Sequence, residues 1–275
     1  MAGDADTEVV MFTKQLKRTG GLDLATAADR LIEWGFDGAD LTVRPGGYVD
    51  PTEVDVEAAL PEAVGILEDR GLSVPMLTTG VTGADEPAAD PVFRTAAACG
   101  VDRLKLGYWR YDGFGTAEAG LATMADDLEG LAALGADHGV TPCVHIHSGS
   151  YLSAEAGVLW TLLREHDPDR LGAYLDPGHM AVEGGLGGWE QGLDLLGGHA
   201  RLVAAKDFAW QRGDDGWTTA AAELTEGLVP WERAFEHLDT VGYDGPVSVH
   251  AEYDCGFETL VARARRDLAT VRELV

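Results

Sequence analysis

Over 275 residues, 47 Asp plus Glu against 20 Lys plus Arg leave a formal charge of −27, while 45% of the chain is hydrophobic. That apolar share excludes a disordered chain despite its charge, and a field this negative opposes nucleic-acid backbones and anionic membrane surfaces. No apolar run reaches the roughly 20 residues of a membrane span, and the acidic start Met1-Ala2-Gly3-Asp4 lacks a secretory signal's basic and apolar regions, so the expectation is a cytoplasmic protein.

Taken in chain order, β-rich apolar runs alternate with amphipathic stretches. A strand at Val9–Leu16 precedes a helix at Leu24–Trp34, and a strand at Gly38–Val43 precedes a helix at Val54–Arg70. The pattern continues with strand Leu72–Thr79 and helix Asp90–Cys99, strand Arg103–Trp109 and helix Ala117–His138, and strand Thr141–Ser148 and helix Ser153–His166. It closes with strand Leu171–Asp176 and helix Trp189–Leu196, strand Leu202–Phe208 and helix Trp231–Val241, and strand Val247–Tyr253 and helix Phe257–Leu274. Asp23 and Gly35 punctuate the first helix, Gly71 ends the second, and Gly139 ends the fourth. Strict alternation of this kind predicts an α/β fold, a single (β/α)8 TIM barrel occupying residues 1–275 as one domain. A doubly wound sheet is the structural alternative, but Leu16-Lys17-Arg18-Thr19-Gly20-Gly21 after the first strand is neither a dinucleotide fingerprint nor a phosphate loop. Loop-rich insertions are expected around Gly80–Pro91 and Gln211–Thr219.

Lysine is scarce: Lys14, Lys17, Lys105 and Lys206 are the whole set. Acidic excess with little lysine suits a high-salt, halophilic cytoplasm, because molar salt screens carboxylates from one another; selection for solubility alone is the plainer account. Lys14, Lys105 and Lys206 fall on predicted strands, where an ammonium can hold an oxyanion, although Lys206 could simply pair with Asp207. Cys99, Cys143 and Cys255 are odd in number and form no CxxC spacing, as in reduced intracellular proteins.

Barrel active sites form at the C-terminal ends of the strands. Of the eight histidines, His138, His166, His199 and His237 fall on or beside helices, whereas His145 and His147 close strand five, His179 follows strand six and His250 closes strand eight. Period-two alternation puts His145 with His147, Tyr174 with Asp176, and His250 with Glu252 on shared faces, a set suited to a divalent metal or to acid–base work.

Several motifs in this order, Val144-His145-Ile146-His147-Ser148-Gly149, Asp176-Pro177-Gly178-His179, Lys206-Asp207-Phe208-Ala209-Trp210, Leu224-Thr225-Glu226-Gly227 and His250-Ala251-Glu252-Tyr253, resemble the xylose isomerase-like sugar phosphate isomerase/epimerase superfamily. The resemblance covers essentially the whole chain, including Leu41-Thr42-Val43-Arg44-Pro45-Gly46-Gly47. It implies a TIM barrel, a divalent cation, Mn or Mg, in the mouth, and proton transfer beside a sugar carbonyl. His145, Asp176, His250 and Glu252 would then be the metal set; Lys206, Glu252 and His147 would be catalytic; Lys14, Arg44, Arg110, His179 and Trp210 would bind substrate. Metal-using ketose epimerases of the superfamily carry Glu, Asp, His and Glu on strands five to eight. The matching positions here are His145, Asp176, Ala204 and His250, with Glu252 two residues further along. The expectation is a cation-assisted sugar or sugar phosphate isomerase or epimerase of carbohydrate metabolism. A keto-sugar lyase or hydrolase and a non-catalytic sugar-binding barrel are the alternatives. Its partner is a small-molecule sugar, not a nucleic acid or a membrane, and the reading leaves room for a homo-oligomer.

Overall fold

The structure is a computed structural model describing residues 7–214 and 216–275. Met1–Asp6 and Asp215, parts of the expected single domain, lie outside the described residues. In chain order the elements are β1 (Val9–Phe12), α1 (Lys14–Arg18), α2 (Leu24–Trp34), β2 (Gly38–Val43), α3 (Val56–Glu68), β3 (Ser73–Thr79), α4 (Ala89–Ala98), β4 (Arg103–Lys105) and α5 (Ala117–His138). There follow β5 (Thr141–His145), α6 (Ala156–Leu163), β6 (Gly172–Leu175), α7 (Pro177–Leu196), β7 (Ala200–Ala205), β8 (Asp207–Gly213), β9 (Gly216–Ala222), α8 (Trp231–Thr240), β10 (Val247–Val249) and α9 (Phe257–Leu274). Eight parallel strands close in the order β1-β10-β7-β6-β5-β4-β3-β2, a (β/α)8 TIM barrel.

Local chemistry places the helices. Asp23 caps α2 by accepting from Thr26 N at 2.7 Å, and Gly35 ends it in the left-handed region at φ 92°, where a side chain would be strained. Buried faces of the helices pack on strands that are buried along their whole length, such as β2 and β6. Inside the barrel Met76, Cys143, Tyr174, Leu202 and Ala204 form their own apolar cluster, so Ala204 fills the interior beneath the mouth. No helix among the described residues is long and apolar enough to cross a membrane.

The strands are shorter at their C-terminal ends than the sequence pattern predicts. The expected strand Val9–Leu16 stops at Phe12 because Thr13 turns the chain, its N and Oγ1 both donating to Asp40 O, and Lys14 opens a short helix instead. His147 and Ser148 lie beyond β5, Lys206 directly beyond β7, and His250 and Glu252 beyond β10. These groups therefore stand on the mouth loops, released from the ladder and free to turn inward. Trp189–Leu196 is only the second part of a helix that begins at Pro177, directly after Asp176, and kinks at Gly185. The insertion expected as loop at Gln211–Thr219 belongs to an antiparallel hairpin, β8 paired with β9 from Asp207–Ala222 to Gly213–Gly216.

Candidate active site

At the C-terminal mouth lies a small pocket with a cavity volume of about 150 Å³. Its centre is an ammonium. Lys206 Nζ, on a side chain 6% exposed, lies 3.3 Å from Asp176 Oδ2 and 3.1 Å from Glu252 Oε2, while Lys14 Nζ donates to the other Glu252 oxygen. Burial, the largest influence, works against the Lys206 charge, but Asp176 and Glu252 outweigh it and raise its proton affinity above the ordinary lysine value. Burial likewise opposes both carboxylates, yet Lys206 holds Asp176 below the usual range, and Lys206 with Lys14 holds Glu252 well below it. Lys206 is thus not the structural partner of Asp207. That carboxylate faces the other way and accepts from Leu228 N at 2.8 Å and Trp231 Nε1 at 2.9 Å.

Imidazoles ring this centre. His145 Nε2 lies 3.1 Å from Asp176 Oδ2, and its Nδ1 lies 2.9 Å from Tyr108 OH. His179 Nδ1 meets Ser148 Oγ at 2.7 Å, while Asp176 Oδ1 caps α7 by accepting from His179 N at 3.0 Å. His250 Nε2 meets Tyr174 OH at 2.8 Å. Two buried ring nitrogens, His179 Nε2 and His250 Nδ1, have no hydrogen-bond partner among the described residues. Burial, reinforced by the Lys206 charge, drives His145 and His179 well below the usual histidine value and His147 down to about 4, so all three are neutral at pH 7.

The structure brings Lys206, Glu252, His147, Lys14 and Arg44 together around the pocket, with His145 and His250. Asp176 lies buried behind Lys206, and His179 behind His147, their rings 3.8 Å apart. Two expected substrate ligands stand elsewhere. Trp210 is 46% exposed on the hairpin, and Arg110 lies over the Tyr151 ring at 5.5 Å, outside the pocket lining. Tyr174, expected on one face with Asp176, does line the pocket, while sequence reasoning missed Tyr108, Tyr151 and Thr78 in the lining and the buried Asp40 beneath it. Asp40 was detectable as a lone carboxylate within the apolar strand Gly38-Ala39-Asp40-Leu41-Thr42-Val43.

His145, Asp176, His250 and Glu252 do converge, yet as they stand they do not fit a divalent cation. Among the described residues no group of three or more His, Cys, Asp or Glu is arranged to hold one. The two carboxylates that would face the ion already face Lys206, and His250 Nδ1 stays 4.0 Å from Glu252 Oε2. A +2 ion there would lie against an ammonium in low dielectric, a strongly repulsive arrangement.

The family profile described as xylose isomerase-like TIM barrel matches residues 28–274. No curated protein matches the chain by sequence. Among solved structures, a xylose isomerase-like TIM barrel protein from Mycobacterium smegmatis in complex with magnesium superposes with a TM-score of 0.71 at 12% identity, covering 100% of this chain and 99% of that one. A D-psicose 3-epimerase solved in the presence of D-fructose gives 0.74 at 14% identity over 97% of this chain and 99% of its own. The 3-keto-D-glucoside 4-epimerase of E. coli gives 0.71 at 14% identity over 98% and 100%. At these identities the superpositions establish a shared architecture, while the profile covers the chain from within α2 through α9; the chain belongs to the xylose isomerase-like TIM barrel family.

Proposed function

We propose that this barrel is a sugar isomerase or epimerase that moves a proton on the carbon beside a carbonyl. The observation that carries the reading is the Lys206 ammonium, fixed at the pocket between Asp176 and Glu252 where negative charge can be met as it develops. Deprotonation beside a carbonyl puts charge on the carbonyl oxygen, and a preorganised ammonium stabilises that oxygen without further reorganisation. Glu252 is a poor base, since two lysines hold it ionised; its work is to position them. Proton transfer falls to the imidazoles, with the unpartnered His250 Nδ1 as acceptor and the neutral His147 beside it in the lining. Lys14 and Arg44 hold substrate oxygens at the rim. The D-fructose of one structural neighbour and the keto-glucoside of another support a small keto sugar as substrate. Magnesium in the mycobacterial barrel is the case for a divalent ion, but the donor set described above routes no step here through one.

The test is proton NMR in deuterated buffer with D-fructose, D-psicose, L-ribulose and a 3-keto-glucoside, with EDTA and with added Mn²⁺. Exchange at the carbon beside the carbonyl, unaffected by EDTA, is the expected result. Saturable binding without exchange would identify a non-catalytic sugar-binding barrel, and cleavage products would identify a lyase or hydrolase.

A further inference from the structure

Lys105 ends β4, and its side chain lines the same pocket although the residue is only 2% exposed. Among the described residues no carboxylate lies within ion-pair distance of it, whereas Lys14 and Lys206 both have one. Its Nζ instead lies 3.6 Å from the centroid of the Tyr108 ring. The charged and titratable groups that face it are Lys14 beyond β1, Asp40 and Arg44 from β2, Tyr108 beyond β4, His145 at the end of β5 and Lys206 beyond β7. Asp40 is the one anion of the set, and its carboxylate is turned to Thr78 Oγ1 and Ser248 Oγ.

We propose that Lys105 is a nucleophilic amine that takes the substrate carbonyl as a Schiff base. A lysine desolvated by burial and surrounded by other cations is one of the settings that activate an amine for attack, and these outweigh the Tyr108 face, which by itself favours the ammonium. Burial, then the charges of Arg44, Lys206 and Lys14, hold its proton affinity well below the ordinary lysine value, with Asp40 alone opposing. The choice of residue argues the same way. This chain keeps only four lysines and meets most of its need for positive charge with arginine, which binds an oxyanion at least as well but cannot become a free amine.

The proposal deepens the reading above and rests on it for the substrate, a small keto sugar. The Nζ lone pair bonds to the carbonyl carbon while the π pair moves to oxygen, where on this route the Lys206 ammonium meets the developing charge, and one Nζ proton passes to that oxygen to give a carbinolamine. The C–O bond then breaks with a proton from a pocket acid, water leaves, and an iminium remains. That iminium draws electrons from the neighbouring C–H bond, whose proton goes to His250 Nδ1 to give an enamine. Reprotonation of the carbon and addition of water release the sugar and restore the amine and the acid. Such an iminium is an electron sink that a site centred on an ammonium can use in place of a metal.

The experiment is borohydride reduction of the wild-type protein with dihydroxyacetone at pH 7, followed by peptide mapping; Lys14, Lys17, Lys206 and the N-terminus serve as internal controls. A single reduced adduct on the Lys105 peptide, abolished in Lys105→Arg, is expected. Pulse acetylation across pH 6–11 is the second measurement, with Lys105 becoming reactive at lower pH than Lys17. No adduct, an adduct shared with Lys17 and the N-terminus, or co-titration with Lys17 overturns the proposal. Proton exchange on the sugars without a Lys105 adduct sinks the Schiff base and leaves the isomerase reading standing. An adduct on Lys105 without exchange supports the amine and sinks that reading.

Discussion

Lys206→Met removes the one charge that Asp176 and Glu252 share while keeping most of the side chain's volume. Asp176 is fully buried and would keep only His145 Nε2 and the backbone N–H of His179 as donors. Orphaning one member of a buried ion pair costs about 3–5 kcal/mol. Glu252, with its side chain 23% exposed, retains Lys14 and adds about 0–1 kcal/mol. The sign with pH follows from the shifts. In the wild type the depressed Asp176 and Glu252 values contribute stability that is present above their unfolded values near 4 and lost as pH falls through the folded ones. Without Lys206, burial dominates at Asp176, its folded value rises, and the penalty is full at pH 8 but shrinks as acid protonates the group. Urea unfolding of both proteins at pH 8 and pH 5 should therefore show a gap of about 3–5 kcal/mol that narrows at pH 5. On a verified substrate kcat should fall roughly a hundredfold or more with little change in KM. A gap under about 1 kcal/mol at both pH values, with near-normal turnover, would refute the reasoning, since a buried charge cannot be removed that cheaply.

Two further outcomes are expected. Gly227→Ala puts a Cβ 1.9 Å from Asp207 Cγ, so the carboxylate must leave the N–H groups of Leu228 and Val229; denaturant unfolding should show a loss of about 3 kcal/mol, and a neutral result would mean that this turn is not anchored by Asp207. The −27 charge should make the melting temperature rise from dilute buffer to molar KCl as screening relieves self-repulsion, whereas a flat or falling profile would leave solubility as the reason for the acidic surface.

Local signals in the sequence placed α2, α5 and α9 but not α1, the start of α7 or the ends of most strands. The spans of α2, α5 and α9 can be read to the residue because caps and apolar spacing coincide there, as at Asp23, Gly35 and Gly139. Strand ends overran because His147, His250 and Glu252 continue the alternation beyond the last residues of β5 and β10. Asp176-Pro177-Gly178 has the composition of a turn, which concealed a helix capped by the Asp176 side chain. In the site, convergence of strand-end residues was legible because a barrel brings all such ends together. The pairing within it was not. Asp207 is Lys206's neighbour in sequence, but the carboxylates that matter are 30 and 46 residues away, and adjacent residues point to opposite sides. Trp210 next to the Lys206-Asp207 pair looked like a binding residue, but the hairpin carries it away from the mouth.

The carboxylate buried beneath the pocket also has a directional effect. Asp40 accepts from Thr78 Oγ1 at 2.6 Å, from Ser248 Oγ at 2.9 Å and from Tyr174 OH at 3.5 Å, joining β2 to β3, β6 and β10. The Tyr174 hydroxyl donates its proton down to Asp40 Oδ2, so the phenol oxygen has only a lone pair left for its other neighbour, His250 Nε2. That nitrogen must then carry the ring's proton, which leaves Nδ1 bare on the pocket side. A single acid at the barrel floor thus selects the tautomer of an imidazole at its mouth, and Tyr174→Phe, which takes from the pocket lining only the hydroxyl between them, releases that ring to carry its proton on either nitrogen.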